Sequence, residues 1–382
     1  MKKTFIHFAL LLTAATTTNA MLLDTNLNYH LVDPVFTPYY NNRSVNYEVI
    51  PKYLQLSVQN EVDVILLGGS TAEWPSLTAD ERLTLLSVWR KAIDQLDVKD
   101  RPKLLFHAGD VSVANAQYLA EKSEEYGADW ILLVAPCIMR PPTLDALVDT
   151  LSAIASVRDF LLLLLCYAPC VSARRSLTCS FCLFFSLLFS ALSSALSNPN
   201  PAFQKAPNLP MFYYHYPALY GVDFKMSDFL QVTNLETRLP TLAGVKYIDP
   251  DMQTLTLATG AAKSSYVFFN NDPLLAGLAA GSMGAISYTT IFPYARKMQE
   301  AFSGGDFAKA RDAERTIQEY SAIIGEYGGK PAARVLPLLF GGVDLGSPRA
   351  PLLPIASADL SALNASLIQA GFLNGNLKNI EL

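Results

Sequence analysis

The chain has 382 residues, of which 51% are hydrophobic and 16% charged, so it can bury a large core and does not have the composition of a disordered protein. The length suits one large domain with additional segments better than two domains. The formal net charge is -5 and no basic stripe is interleaved with aromatic residues, which excludes binding to a nucleic-acid backbone.

Residues 1–20 have the order of a secretory signal, with two lysines near the start, an apolar stretch over 6–15 and a small polar segment that ends at Ala20. We therefore predict a signal peptide with cleavage after Ala20, which directs the protein to the secretory pathway. Met21 follows at once, and a second interpretation stays open: translation begins at Met21 and the protein is cytoplasmic.

Beyond residue 27, short apolar runs alternate with amphipathic stretches, which is the pattern of parallel βα units. The stretch Thr78–Leu96 opens with a capping box in which Glu81 follows Thr78 by three residues, and Asn115–Tyr126 is followed by the helix-ending Gly127. Eight apolar runs are predicted as strands: Leu31–Phe36, Val62–Leu67, Lys103–Phe106, Trp130–Val134, Met211–Tyr214, Leu242–Tyr247, Tyr266–Phe269 and Ala285–Tyr288. Eight βα repeats predict an α/β fold, a closed (β/α)8 TIM barrel over residues 27–305.

An apolar insert rich in Cys, Ser, Phe and Leu, residues 158–204, interrupts the predicted barrel where one short loop is expected. Its segment Leu177–Leu196 is long enough to span a bilayer, but a lone span leaving the middle of a barrel is awkward, so membrane association is not expected. Four cysteines have zinc-like spacing but no histidine beside them: Cys166, Cys170, Cys179 and Cys182. The composition favours a third interpretation, a translated non-coding stretch such as a retained intron, because pyrimidine-rich nucleotide sequence encodes these residue types.

The remaining residues, 306–382, are predicted to form a helical C-terminal extension. Asp306–Tyr327 is strongly amphipathic, and Pro331 and the turn-rich stretch 341–354 interrupt the helical pattern.

Function in a barrel of this type lies at the carboxyl ends of the strands. The second strand runs into Gly68-Gly69-Ser70-Thr71, where glycines permit close approach of a ligand and two hydroxyls can donate to a carboxylate, although Ser or Thr can equally be a helix cap there. The sixth strand places Lys246 at its mouth end, where desolvation lowers the pKa of a lysine and favours the neutral, nucleophilic amine; a snorkelling lysine is the alternative. The fifth strand is unusually aromatic, which β-propensity alone can explain.

In order, spacing and context, these residues resemble the N-acetylneuraminate lyase and dihydrodipicolinate synthase family of class I aldolases. The resemblance implies that Ser70 and Thr71 hold a keto-acid carboxylate, that Tyr214 is a catalytic tyrosine and that Lys246 forms a Schiff base with pyruvate. It implies a small-molecule substrate, no cofactor, no metal and a homotetramer.

Within this family, residues 212–221 are most like the lyases that act on sialic acid, and Leu219 stands where the synthases usually have arginine. The resemblance thus implies retro-aldol cleavage of N-acetylneuraminate to N-acetylmannosamine and pyruvate. Asn271 and Asp272 fall at the pair that binds the sugar's polyol tail, and the resemblance also implies that Tyr288 is a substrate-binding residue. Ile248 and Tyr288 stand where the lyases have smaller hydroxyl residues.

Two alternatives remain open at this point. One is the same pyruvate-dependent chemistry on another sugar acid or aldehyde, which the departures Ile248, Asn271 and Tyr288 motivate. The other is a catalytically inactive barrel that acts as a binding protein.

Overall fold

Eight parallel strands close into a barrel in the order β1 to β8, with β8 pairing back onto β1. The computed structural model describes residues 29–155, 209–262 and 267–373. The strands are β1 His30–Pro34, β2 Val64–Leu67, β3 Lys103–His107, β4 Trp130–Val134, β5 Met211–His215, β6 Leu242–Tyr247, β7 Val267–Asn270 and β8 Gly284–Ile286. The predicted (β/α)8 TIM barrel is confirmed.

Strands β4 and β6 have the predicted bounds, and the main difference lies in the eighth strand. The predicted strand continued to Tyr288, but β8 ends at Ile286 because the chain turns there into the short 3-10 helix Thr289–Ile291. Tyr288 is therefore a loop residue at the mouth of the barrel. Tyr266, the predicted first residue of the seventh strand, lies outside the described residues.

Helices cover the outside of the barrel and continue after it. They are α1 Ile50–Gln59, α2 Ala79–Asp94, α3 Val113–Glu125, α4 Leu144–Ala155, α5 Pro217–Tyr220, α6 Met226–Leu230, α7 Leu235–Arg238, α8 Met252–Ala261, α9 Leu274–Ala279, α10 Phe292–Ser303, α11 Phe307–Glu326, α12 Lys330–Gly341 and α13 Ser357–Gln369. Helix α2 begins with the predicted capping box between Thr78 and Glu81. Gly127, two residues beyond α3, has the positive φ of 94° that favours glycine.

Side chains at alternate strand positions point to the barrel interior, where they form an apolar cluster separate from the layer under the helices. Phe212 lies between Trp130 and Phe269, with ring-centroid distances of 5.5 Å and 5.2 Å. This aromatic packing fills the barrel and excludes water below its mouth.

Helices α11 to α13 form a helical C-terminal part, as predicted, and the amphipathic stretch 306–327 corresponds to α11. Helix α10 follows β8 within the predicted barrel. At the amino-terminal end of the barrel, Arg296 of α10 donates to the Asp63 carboxylate at 3.0 Å and to the Tyr29 carbonyl at 3.1 Å. The helix after β8 is therefore hydrogen-bonded to residues that precede β1 and β2.

The barrel closes between β4 and β5 although many residues separate them. Ile131 pairs with Met211 and Val134 with Tyr214, so the two strands are direct neighbours. The predicted insert 158–204 and the predicted signal 1–20 lie outside the described residues. Within the parts of the chain that the structure describes, no helix is long and apolar enough to cross a membrane.

Candidate active site

Lys246 lies on β6 near the carboxyl end of the strand and points into the barrel. Only 3% of the residue is exposed, and burial lowers the pKa of its ammonium from 10.5 to about 7. An unburied lysine is almost fully protonated at neutral pH, whereas this side chain carries a substantial neutral fraction. The structure therefore places an amine that can attack a carbonyl carbon at the mouth of the barrel.

Tyr214 is the neighbour of Lys246 across the β5–β6 ladder, where the two residues are paired in register. The Lys246 Nζ lies 4.1 Å from the centroid of the Tyr214 ring. Burial raises the pKa of the Tyr214 phenol above its ordinary value, so the hydroxyl stays protonated at neutral pH. The ring shields the amine, and the hydroxyl is available to relay a proton.

The loop Gly69–Glu73, here called the glycine loop, follows β2 and brings Ser70 to this pair. The Ser70 Oγ and the Tyr214 hydroxyl are 3.0 Å apart, although β2 and β5 are not neighbours in the barrel. Ser70 and the adjacent Thr71 are both half-buried. The glycine loop, Tyr214 and Lys246 thus meet at the barrel mouth, as the sequence predicted.

Asn271 and Asp272 follow β7 directly. The Asp272 Oδ2 accepts a 3.0 Å hydrogen bond from Ser321 of α11, and burial raises the pKa of the carboxyl. The Asn271 carbonyl oxygen accepts a hydrogen bond from the Asn270 side chain at 2.6 Å. One oxygen of the Asp272 carboxylate therefore contacts α11, and the other, Oδ1, is buried without a hydrogen-bond partner among the described residues.

Tyr288 also lies at the barrel mouth, on the side of β8 and β1. Its ring stacks on Phe36 with a centroid distance of 6.2 Å, and burial raises the pKa of its phenol to about 12. Ile248 is partly buried against the apolar interior cluster. An aromatic and an aliphatic side chain therefore occupy the two positions where the resemblance implied small hydroxyl residues.

His107 at the end of β3 is a site residue that the sequence analysis missed. Its ring lies edge-on to the Tyr214 ring at 5.9 Å, and the Arg82 guanidinium contacts both its Nδ1, at 3.3 Å, and its carbonyl oxygen. Because arginine only donates, Nδ1 must accept and the proton is assigned to Nε2. Burial, together with Arg82 and Lys246, holds the pKa of His107 well below its ordinary value, so the imidazole is neutral. The sequence feature that could have indicated this residue is its position directly after a predicted strand, in a chain with four histidines.

One other cluster has spacing that a metal ion could use: His215, Asp223 and Asp249 offer ligand atoms within 4.8 Å of one another. Asp223 is exposed, and the buried His215 Nδ1 has no hydrogen-bond partner among the described residues. The imine chemistry rests on Lys246 and does not require this cluster.

A (β/α)8 barrel with a buried lysine at its mouth has the architecture of a class I, imine-forming aldolase. The Dihydrodipicolinate synthetase family model matches residues 29–167 and 202–370. The chain belongs to this family, and it is an enzyme of the lyase type.

Named relatives agree with this assignment. The chain is 26% identical to the N-acetylneuraminate lyase of Homo sapiens over 352 residues, which cover 90% of this chain and 93% of the relative. It is 27% identical to that of Xenopus tropicalis over 337 residues, covering 86% and 92%.

Solved structures show the same fold. The N-acetylneuraminate lyase of Proteus mirabilis is similar with a TM-score of 0.70 and 23% identity, covering 90% of this chain and 99% of that one. A dihydrodipicolinate synthase of Bacillus anthracis has a TM-score of 0.67 and 20% identity, with coverage of 89% and 98%.

Proposed function

We propose that this enzyme cleaves a 2-keto acid by a retro-aldol reaction in which Lys246 forms an imine with the substrate. The observation that carries the proposal is the buried Lys246 amine against Tyr214, whose hydroxyl lies 3.0 Å from Ser70. A nucleophile, a proton relay and carboxylate donors are the groups that this chemistry requires.

The reaction begins when the neutral Lys246 amine attacks the C2 ketone and water leaves. Protonation of the imine nitrogen makes it an electron sink, so the C3-C4 bond can break with its electron pair moving toward nitrogen. Tyr214 accepts the proton of the C4 hydroxyl as it passes its own to the substrate carboxylate. Protonation of the enamine at C3 and hydrolysis then release pyruvate and restore Lys246.

Ser70 and Thr71 orient the reacting bond in this scheme. By donating to the carboxylate they fix the C1-C2 plane, so the C3-C4 bond lies along the imine π system. The buried surroundings of Lys246 strengthen these interactions because little water competes for them.

N-acetylneuraminate is the substrate that we propose, with N-acetylmannosamine and pyruvate as products. The names of the relatives and the resemblance of residues 212–221 support it. The test is a coupled assay of pyruvate release from N-acetylneuraminate, with Lys246→Met as the inactive control. Release that needs Lys246 supports the proposal, and a folded enzyme that releases no pyruvate contradicts it.

A second candidate is the same chemistry on another sugar acid or on a less hydroxylated aldehyde. One observation favours it: Ile248 and Tyr288 supply apolar and aromatic side chains where the resemblance implied small hydroxyl residues. A panel of keto acids with hydroxylated, aliphatic and aromatic tails separates the two candidates. If the enzyme cleaves N-acetylneuraminate fastest, the second candidate is eliminated. If the enzyme still forms the imine but cleaves N-acetylneuraminate slowly, the second candidate is supported.

The homotetramer, the signal peptide and the foreign origin of the insert remain predictions. The two segments matched by the family model leave residues 168–201 between them, within the predicted insert, which supports a translated non-coding stretch. Sequencing of transcripts tests it: messages that lack the codons for 158–204 support the prediction, and uniform retention contradicts it.

A further inference from the structure

The C-terminal helices contact the glycine loop as well as the outside of the barrel. On α12, Lys330 donates to the Ser70 carbonyl at 3.2 Å, and Arg334, one turn later, donates to the Glu73 carboxylate at 3.0 Å. One helix therefore holds the loop near both of its ends. The Thr37 hydroxyl donates to the Ala72 carbonyl at 2.7 Å and holds the loop from the side of β1.

Several hydrogen bonds of the Arg334 guanidinium hold this side chain in place. It is 4% exposed, and besides Glu73 it donates to the carbonyls of Thr37, Leu345 and Gly346, each at 2.8 Å. The planar guanidinium reaches these acceptors at once, which a lysine ammonium cannot do in the same geometry. Arg334 thus fixes the position of Glu73 relative to β1 and to the chain that follows α12.

Glu73 needs such a partner because its backbone is left-handed. It has φ 61° and ψ 38°, a conformation that costs a residue other than glycine free energy and persists where surroundings enforce it. Glu73 is 4% exposed, and its carboxylate accepts from Arg334 and, at 3.2 Å, from the Arg349 backbone N–H. The Arg334 contact therefore stabilises the turn that follows Ser70 and Thr71.

We propose that Arg334, acting through Glu73, is a positioning residue for the substrate carboxylate, so that the C-terminal helices set the affinity of the site for keto acids. The inference rests on the proposed function, because it assumes that Ser70 and Thr71 hold that carboxylate. Arg334 touches no substrate in this account, and its effect is confined to binding steps that depend on the glycine loop.

The test compares two ketones that differ in the carboxylate. Pyruvate and acetone both form an imine with a lysine amine, but only pyruvate has a carboxylate for the glycine loop. For each ketone, the measured quantity is the concentration at which the borohydride-trapped adduct on Lys246 reaches half of its maximum. The acetone value divided by the pyruvate value gives the carboxylate preference of the site. For Arg334→Lys we expect this ratio to fall on the order of tenfold, the value of about one charge-assisted hydrogen bond.

Arg296→Lys is the matched control. Arg296, on the helix α10 that follows β8, also joins a helix to residues that precede the strands, but at the opposite end of the barrel. If Arg334 has a structural role alone, the two variants should give equal ratios once their losses of stability, measured by thermal unfolding, are taken into account. A fall confined to Arg334→Lys supports the proposal, and an unchanged ratio overturns it.

Should Arg334→Lys not fold, Glu73→Gln provides the measurement, because it keeps the size of the side chain and weakens its charge-assisted hydrogen bond from Arg334. We expect the carboxylate preference to fall about threefold; no fall overturns the proposal. Absence of a pyruvate adduct from the parent enzyme overturns the proposed function instead, and with it this inference.

Discussion

The Tyr214→Phe substitution separates the two roles that the site assigns to Tyr214. The phenyl ring stays, and with it the contact that shields the Lys246 amine at 4.1 Å; the hydroxyl that reaches Ser70 is lost. Imine formation should therefore continue, while cleavage of the C3-C4 bond should slow because the proton of the C4 hydroxyl has no relay.

The expected magnitude follows from proton transfer by a positioned side chain, which accelerates reactions by about 10² to 10⁴. Cleavage should fall by that factor, equivalent to about 3 to 5 kcal/mol of activation free energy. The substitution leaves the half-buried Ser70 hydroxyl with one partner fewer, which costs about 1 kcal/mol of folding stability. The enzyme should therefore remain folded.

The assay measures pyruvate release and the trapped Lys246 adduct on the same sample. Tyr220→Phe is the control, because its ring lies 5.4 Å from that of Tyr214 and its hydroxyl accepts a hydrogen bond from Trp74 at 3.3 Å. Tyr220→Phe should lose little activity. The reasoning is refuted if Tyr214→Phe cleaves substrate at the parent rate, or if its adduct disappears together with its activity.

Three further predictions concern other groups of the described chain. Because burial lowers the pKa of Lys246 to about 7, the rate of imine formation should reach half of its maximum near pH 7 and level off above it; a rise that continues toward 10.5, measured by borohydride trapping, contradicts this. Ser70→Ala should raise the pyruvate concentration for half-saturation about tenfold, since one donor is lost, and an unchanged titration argues against its role. Burial raises the pKa of Asp33 from 3.8 to about 7, so its stabilising contribution is present at low pH and lost as pH rises to that value. Asp33→Asn should therefore gain roughly 3 kcal/mol relative to the parent between pH 5 and pH 8 in urea unfolding, and a difference independent of pH contradicts it.

Much of the fold was predictable because its signals are local. The bounds of β4 and β6 follow from continuous apolar runs, and the start of α2 follows from the Thr78 and Glu81 capping box. Lys246, Tyr214 and Ser70 could be brought together because parallel strands deliver their carboxyl ends to one face.

Features that depend on distant partners were not predictable. Arg334 is 261 residues from Glu73, and Ser321 is 49 residues from Asp272, so no local pattern shows these hydrogen bonds. The neutral state of His107 likewise depends on Arg82, which comes from the preceding helix. Tertiary packing decides such contacts, and the sequence carries no spacing rule for them.

The central claim is that Lys246 forms an imine with a keto acid. The most direct measurement is borohydride reduction of the full chain in pyruvate, followed by intact mass and peptide mapping, with Lys246→Met as control. We expect one pyruvate-sized adduct on the peptide that contains Lys246 and none in the variant. A folded enzyme without an adduct, or with its adduct on another lysine, contradicts imine formation at Lys246.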